Sequence, residues 1–147
     1  DSTLTGRTVL WAQAERLMEQ HPWTGVGANG FWRPEVGEAN SILRLFHYSA
    51  YTQFSFHNSY LENGVQFGYP GMFATAFLGV WCVYRGVRTW LMRQDLHNAY
   101  FMFLGLLIFV RSFTEIHLAG ELAWAFILIY IAAARKNPQP RATAPAG

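Results

Sequence analysis

Residues 69–92 read YPGMFATAFLGVWCVYRGVRTWLM, and Gly68 and Pro70 mark their start. The run from Tyr69 to Tyr84 carries no charge. As one helix, the whole stretch is about 36 Å long at 1.5 Å per residue, enough to cross the roughly 30 Å hydrocarbon layer of a bilayer. Proline is well suited to a first helical turn. We therefore predict a transmembrane helix over residues 69–92.

The composition of the chain is unusual for a soluble domain. Of its 147 residues, 52% are hydrophobic and 14% are charged, against about 25% charged in an ordinary soluble domain. The formal net charge of +2 is too small and too scattered for a nucleic-acid surface, so no nucleic-acid partner is expected. The single cysteine, Cys82, excludes a disulfide framework and a cysteine-rich zinc site.

A second apolar region covers residues 99–134. It would form about 54 Å of straight helix, which is too long for one crossing, and Gly120 and Glu121 interrupt it. We therefore predict two further spans, over residues 99–117 and 121–134.

Basic residues predict the orientation of these spans. One cluster follows the first span and another follows the last: Arg85, Arg88 and Arg93, then Arg135, Lys136 and Arg141. By the positive-inside rule both clusters are cytoplasmic, which leaves residues 1–68 outside. The proline- and alanine-rich residues 135–147 are expected to form a disordered cytoplasmic tail.

The external region, residues 1–68, is predicted to contain short helices. Thr5 is suited to cap a helix that runs to Gln20, and Asn58 is suited to cap a second helix that ends before Gly68. The expected fold class is therefore all-α: a fragment of a polytopic integral membrane protein, with a large external loop followed by about three transmembrane helices.

Three glycines, Gly25, Gly27 and Gly30, form the pattern G-x-G-x-x-G that binds phosphates in dinucleotide folds. Such a site needs a buried strand before the pattern and a helix that opens at the third glycine. Here the pattern follows HPWT and precedes FWRP, whose Pro34 opposes a helix. We predict a tight loop and no dinucleotide cofactor. Close approach of this loop to another phosphate stays open.

Five histidines are present, and none has the spacing of a metal site. His57 differs from the others because it lies in FHNSYLE, directly before the Asn58 cap and just ahead of the first span. A histidine there can take a proton from a hydroxyl, or it can pack under its aromatic neighbours. The residues alone leave both interpretations open.

Arg111 and Glu115 are spaced i, i+4 in an otherwise apolar span. This spacing places them on one helix face and predicts an ion pair. Charges inside a membrane are costly and are therefore functional candidates. A functional pair and a structural pair are equally compatible with the sequence.

Several of these strings together resemble a known family. STLTGRTVLW at 2–11, HPWTGVGANGFW at 21–32 and FHNSYLE at 56–62 resemble, in order and spacing, the O-antigen ligase and exopolysaccharide-polymerase superfamily. VRSFTE at 110–115 resembles its exopolysaccharide-production branch. The resemblance covers nearly the whole chain but only the C-terminal part of the family's many-helix fold. The chain is thus expected to be a fragment that is inactive in isolation.

The resemblance implies a multi-pass enzyme of the bacterial inner membrane that assembles surface glycans among membrane lipids. Such enzymes move a glycan from an undecaprenyl-diphosphate donor to a hydroxyl of a glycan or lipid acceptor on the periplasmic side, without a metal or cofactor. Carried over to this sequence, it implies that His57 is the catalytic base and that Arg7 binds the diphosphate. Arg111, a charged residue toward the outer end of its apolar span, is a second candidate for binding the diphosphate. The supporting residues are Asn58, Glu62 and Glu115.

Two alternatives remain beside this glycosyltransferase. A protein O-oligosaccharyltransferase of the same superfamily differs only in its acceptor. A non-enzymatic membrane scaffold or transporter subunit is a different class of protein, and it predicts that surface polysaccharide does not depend on Arg7 or His57.

The predicted topology is tested by cysteine labelling in a Cys82→Ala background. Ser41→Cys should react with an impermeant thiol reagent added to intact spheroplasts, because it lies in the external region. Gln139→Cys should stay unlabelled, because it lies in the cytoplasmic tail. Labelling is measured as a mass shift on a gel, and labelling at position 139 but not 41 would invert the topology.

Overall fold

A computed structural model of the chain describes residues 2–116. These residues form four helices and no strand, so the all-α expectation is confirmed for them. The helices are α1 (Ser2–Gln20), α2 (Gly37–Leu45), α3 (Ser59–Met92) and α4 (Leu96–Arg111). The predicted span 121–134 and the predicted tail 135–147 lie outside the described residues.

Helices α1, α2 and the first part of α3 pack around a hydrophobic core. The core is formed by the buried side chains of Leu10, Ala14, Leu17, Met18, Phe31, Ala39, Ile42, Phe56 and Val65. The spacing of its α1 members keeps them on one helix face. The region predicted as a large external loop is therefore a packed unit. Helix α1 also begins at Ser2, earlier than the predicted cap at Thr5.

Helix α2 is an element that the sequence analysis missed. It buries Ala39, Ile42 and Leu43, whose i, i+3, i+4 spacing is that of one helix face. At nine residues it would be marginal as an isolated helix. Packing against the core therefore stabilises it.

Helix α3 changes direction at Gly68. The backbone there has φ 71° and ψ −168°, which separates a helix over residues 59–67 from one over residues 69–92. The break lies where the sequence predicted the end of one helix and the start of the next. Tyr69 N–H donates to the Pro22 carbonyl at 2.8 Å, so the preceding loop lies against the break.

The glycine-rich loop closes the end of the first part of α3. Val26 N–H donates to the Val65 carbonyl at 2.8 Å, and Gly27 N–H donates to the Gln66 carbonyl at 3.0 Å. These are carbonyls that a helix end leaves without partners. Because its amides are used in this way, the loop has a structural role, which agrees with the prediction that it is no dinucleotide site.

Beyond Gly68, α3 packs against α4 through small residues. Gly79 and Gly86 of α3 and Gly105 of α4 are buried. The remaining apolar side chains are largely exposed; they include Phe73, Phe77, Val80, Tyr84, Tyr100, Phe103, Leu107 and Val110. Within residues 2–116, α3 is the helix long and apolar enough to cross a membrane.

Helix α4 differs from the predicted span over residues 99–117. It begins at Leu96, where the Asp95 side chain accepts the Asn98 N–H at 2.7 Å. It ends at Arg111, so its 16 residues measure about 24 Å. The predicted bounds were wrong at both ends because hydropathy detects apolar length and not the polar contacts that start and stop a helix.

The break at Gly68 generates a stability prediction. Gly68→Ala should lower the free energy of unfolding by about 1–3 kcal/mol, because a side chain tolerates this backbone poorly and its Cβ would meet the Pro22 carbonyl. The effect is measured as a lower melting temperature of the purified protein in detergent. Gly37→Ala is the matched control, since a Cβ at Gly37 meets nothing within 4 Å. Equal melting temperatures for native and Gly68→Ala protein would contradict the strained break.

Candidate functional site

An open cleft of about 790 Å³ lies beside the start of α3. Among residues 2–116, its lining combines amide side chains, hydroxyls, aromatic rings, one imidazole and one carboxyl group, and includes no lysine or arginine: Asn29, Trp32, Tyr48, Thr52, Gln53, Phe54, Ser55, His57, Glu62, Gln66 and Ile116. Two of the predicted site residues, His57 and Glu62, are therefore brought together here. The described part of the lining therefore offers no guanidinium or ammonium group to a diphosphate.

His57 sits on a constrained turn. Its backbone is left-handed, with φ 51°, a conformation that is uncommon for a residue other than glycine. Its N–H donates to Ser55 Oγ at 3.3 Å, and its ring meets the Phe54 ring edge-on at 5.7 Å between centroids. The side chain is 38% exposed. The imidazole is thus held from one side and accessible from the other.

The residue before His57 is fixed through both of its backbone polar groups. Phe56 N–H donates to Glu62 Oε2 at 3.0 Å, and Trp11 Nε1–H donates to the Phe56 carbonyl at 3.0 Å. The Phe56 ring is fully buried. Helices α1 and α3 therefore fix the turn that carries His57.

Asn58 has the capping role that the sequence predicted. Its Oδ1 accepts the N–H groups of Tyr60 and Leu61 at 2.9 and 3.1 Å. Its Nδ2 donates to the Phe113 carbonyl at 3.2 Å. One side chain thus begins α3 and also ties it to the segment that follows α4.

Glu62 is a buried carboxyl group, 6% exposed. It lies on α3 ahead of Gly68, outside the predicted span. Burial raises the pKa of Glu62 above its ordinary value, while the Phe56 amide, the Gln66 side chain, the Trp32 indole and His57 lower it in part. Gln66 Nε2 donates to Glu62 Oε1 at 3.0 Å. The indole N–H is buried and falls outside hydrogen-bond geometry, so its influence is electrostatic.

The segment after α4 folds back onto the start of α3. Ser59 N–H donates to the Ser112 carbonyl at 2.9 Å, and Ser59 Oγ donates to the Glu115 carbonyl at 2.7 Å. The Ser112 hydroxyl and the Tyr60 hydroxyl lie 2.7 Å apart. These contacts divert the chain from the helical path after Arg111.

The predicted Arg111–Glu115 pair does not form. Glu115 lies beyond the end of α4, and its Oε2 is 3.8 Å from His57 Nδ1. The Arg111 side chain is exposed. The prediction of this ion pair was wrong because an i, i+4 pair requires a continuous helix, whereas α4 ends at Arg111 and does not include Glu115.

Arg7 and Arg111 do not line the cleft. Arg7 is half-buried on α1 and follows Gly6, which lies against the Phe46 ring. That ring stacks on Phe54 at 6.0 Å between centroids, and Phe54 in turn contacts His57. Two aromatic rings therefore separate the Arg7 end of α1 from the imidazole. Among residues 2–116, no three histidine, cysteine, aspartate or glutamate side chains come together as a metal site.

Comparison with known proteins supplies the family. The model of the family described as O-Antigen ligase matches residues 1–76, which include α1, the glycine-rich loop and the His57 turn. The chain belongs to the O-antigen ligase family. This confirms the resemblance found in the sequence.

A curated relative extends the similarity further. The exopolysaccharide production protein ExoQ of Rhizobium meliloti (strain 1021) is 31% identical over 136 residues, which is 92% of this chain and 31% of the relative. The chain thus spans about a third of that relative's length. No solved structure matches.

The sequence analysis missed two contributors to the candidate site. Trp11 and Phe56 fix the His57 turn, yet each is read from sequence simply as an apolar residue. Their place in the family motifs was the signal that could have identified them. Trp11 is the last residue of the first motif, and Phe56 is the first residue of the motif that contains His57.

The buried Glu62 generates a prediction on pH. Because its pKa is raised in the folded protein, its protonated form contributes stability that is complete below the ordinary pKa and is lost as pH rises through the raised value. Glu62→Gln stays neutral, so its melting temperature should fall less than that of the native protein between about pH 4 and about pH 7.

The control for this prediction is Glu35→Gln, which neutralises an exposed carboxylate and should keep the native slope. Melting temperatures of the three proteins across that pH range provide the measurement. Parallel curves for native and Glu62→Gln protein would refute the proposed contribution of Glu62.

Proposed function

We propose that the protein to which this chain belongs is a membrane glycosyltransferase of surface-polysaccharide assembly. It transfers or polymerises glycan from an undecaprenyl-diphosphate donor onto an acceptor hydroxyl at the periplasmic face of the inner membrane. The observation that carries the proposal is that His57 is held on a left-handed turn at the edge of a cleft whose described lining includes no lysine or arginine. Family membership and the similarity to an exopolysaccharide production protein support it.

The cleft suits the acceptor. Aromatic rings and amide side chains, such as Tyr48, Gln53 and Asn29, offer stacking surfaces and hydrogen bonds for neutral sugars. His57 takes the proton of the acceptor hydroxyl. The hydroxyl oxygen then attacks the anomeric carbon of the donor glycan, and the bond from that carbon to the diphosphate oxygen breaks, so the electron pair leaves with the lipid diphosphate.

The donor diphosphate binds outside this cleft in our proposal. Arg7 and Arg111 are its ligands, because a guanidinium group offers paired donors to phosphate oxygens. A diphosphate leaving group needs charge stabilisation more than it needs a proton. This division leaves the imidazole beside the neutral substrate and the guanidinium groups beside the anionic one.

The exposed apolar faces support the placement in a membrane. Side chains such as Phe77 and Phe103 project from the packed pair of α3 and α4, and large exposed apolar surfaces indicate contact with lipid or with other helices. Helix α3 beyond Gly68 is the first crossing. Further crossings belong to the multi-pass arrangement that we propose.

The reaction is tested with the full-length protein in liposomes, given a lipid-diphosphate-linked glycan and an acceptor. His57→Ala should lower turnover by about 10²–10⁴-fold, the usual contribution of a positioned base, while leaving donor binding nearly intact. Arg7→Ala should weaken donor binding and turnover together, and Arg7→Lys should restore little because a point charge does not reproduce the guanidinium fork.

Two variants serve as controls for these effects. His47 is an exposed histidine that also has a left-handed backbone, with φ 62°, so His47→Ala matches the backbone change without touching the cleft. Arg44→Ala removes an exposed guanidinium from α2. Both should transfer at the native rate. Near-native transfer by His57→Ala would reject the base, and surface polysaccharide independent of both Arg7 and His57 would favour the scaffold alternative.

A further inference from the structure

Glu115 is the carboxylate that faces the His57 ring. Its Oε2 lies 3.8 Å from His57 Nδ1, and the two side chains are 36% and 38% exposed. We infer that Glu115 is a positioning residue, which orients His57 and stabilises its protonated form during transfer. This inference rests on the proposed function, in which His57 accepts the proton of the acceptor hydroxyl.

The backbone contacts show why Glu115 is held in this place. Ser59 Oγ donates to the Glu115 carbonyl at 2.7 Å, and Asn58 Nδ2 donates to the Phe113 carbonyl at 3.2 Å. Asn58 is covalently next to His57. The turn that carries the imidazole and the segment that carries the carboxylate are therefore joined by direct hydrogen bonds.

Glu62 also lies near His57, but its carboxylate is already engaged. One oxygen accepts the Phe56 N–H and the other accepts the Gln66 side-chain N–H. Glu62 therefore fixes the turn, whereas the Glu115 carboxylate makes no other ion pair within the described residues. Of the two acids, Glu115 is the one whose carboxylate lies beside His57 Nδ1 without also holding the Phe56 amide.

The geometry assigns different roles to the two ring nitrogens of His57. A carboxylate beside Nδ1 favours the tautomer that carries its proton there, which leaves the Nε2 lone pair for the acceptor hydroxyl. When that proton reaches Nε2, the positive charge of the imidazolium lies beside the Glu115 carboxylate. The separation of 3.8 Å is longer than a hydrogen bond, and such contacts often tighten only when substrate is bound.

The inference is tested in the same liposome assay with the full-length protein. Glu115→Gln should lower kcat by about 10–100-fold, by analogy with the loss seen when the hydrogen-bond partner of a metal-binding histidine is removed, and change the acceptor KM by less than about twofold. Glu115→Asp keeps the charge and should restore part of the loss. Glu19→Gln removes an exposed carboxylate from α1 and should behave as native.

A double-mutant comparison separates positioning from structure. In a His57→Ala background, Glu115→Gln should cause no further loss of residual turnover, since Glu115 acts through His57. An equal loss in both backgrounds would mean a structural role and overturn the inference. If His57→Ala is slow while Glu115→Gln is native, the inference alone fails. If His57→Ala transfers normally, the proposed base fails first.

A spectroscopic measurement does not depend on activity. In protein labelled with ¹⁵N-histidine, with His57→Ala used to assign the signal, the native imidazole should carry its proton on Nδ1. In Glu115→Gln the population should shift toward Nε2–H. An unchanged tautomer would overturn the inference even if the rate fell.

Discussion

The hydrogen bond from the Phe56 amide to the buried Glu62 carboxylate holds the turn on which the site depends. Glu62 lies one turn inside α3, so the bond ties the segment before the helix to the helix itself. Trp11 completes the arrangement from α1 by donating to the Phe56 carbonyl. The Phe56 ring lies in the core, and both of its backbone polar groups are hydrogen-bonded. The backbone of the next residue, His57, is therefore fixed in position.

This bond contributes more to geometry than to stability. Removing a carboxylate from water costs several kcal/mol, and a hydrogen bond to a charged group returns about 1.5–3 kcal/mol. Glu62 has two such bonds, to Phe56 and Gln66, so the gain and the cost are similar in size. Burial raises the pKa of Glu62 in spite of these partners. An apolar residue here would suit the core equally well, but it would leave the Phe56 amide without a partner.

Local signals in the sequence predicted much of the fold. Asn58 as a helix cap and Gly68 as a helix break act through their own neighbours, so their residue types alone carried the information. The face of α2 formed by Ala39, Ile42 and Leu43 was also visible, but a nine-residue helix leaves too short a pattern to stand out. The end of α4 was not predictable, because contacts from Asn58 and Ser59 divert the chain after Arg111. Its start carried a local signal, the Asp95 cap, which the sequence analysis did not use.

Part of the candidate site was predictable because its residues are close together in the sequence. His57 and Glu62 lie within one short string, and they line one cleft. The partner of His57 is distant in sequence, so a spacing rule assigned Glu115 to Arg111 instead. Nothing in the string that contains Trp11 indicates a bond to the Phe56 carbonyl, because that contact exists only once α1 packs against α3.

The described lining of the cleft includes no arginine, which suits a site whose histidine acts as a base. A cation beside the imidazole would oppose its protonation, whereas a nearby carboxylate favours it. A diphosphate needs the opposite surroundings. In the proposed reaction, the guanidinium groups must therefore lie close enough to the diphosphate to bind it as it leaves. They must also lie far enough from His57 that they do not oppose its protonation. The aromatic rings of Phe46 and Phe54, which stand between the Arg7 end of α1 and His57, provide that separation without adding charge.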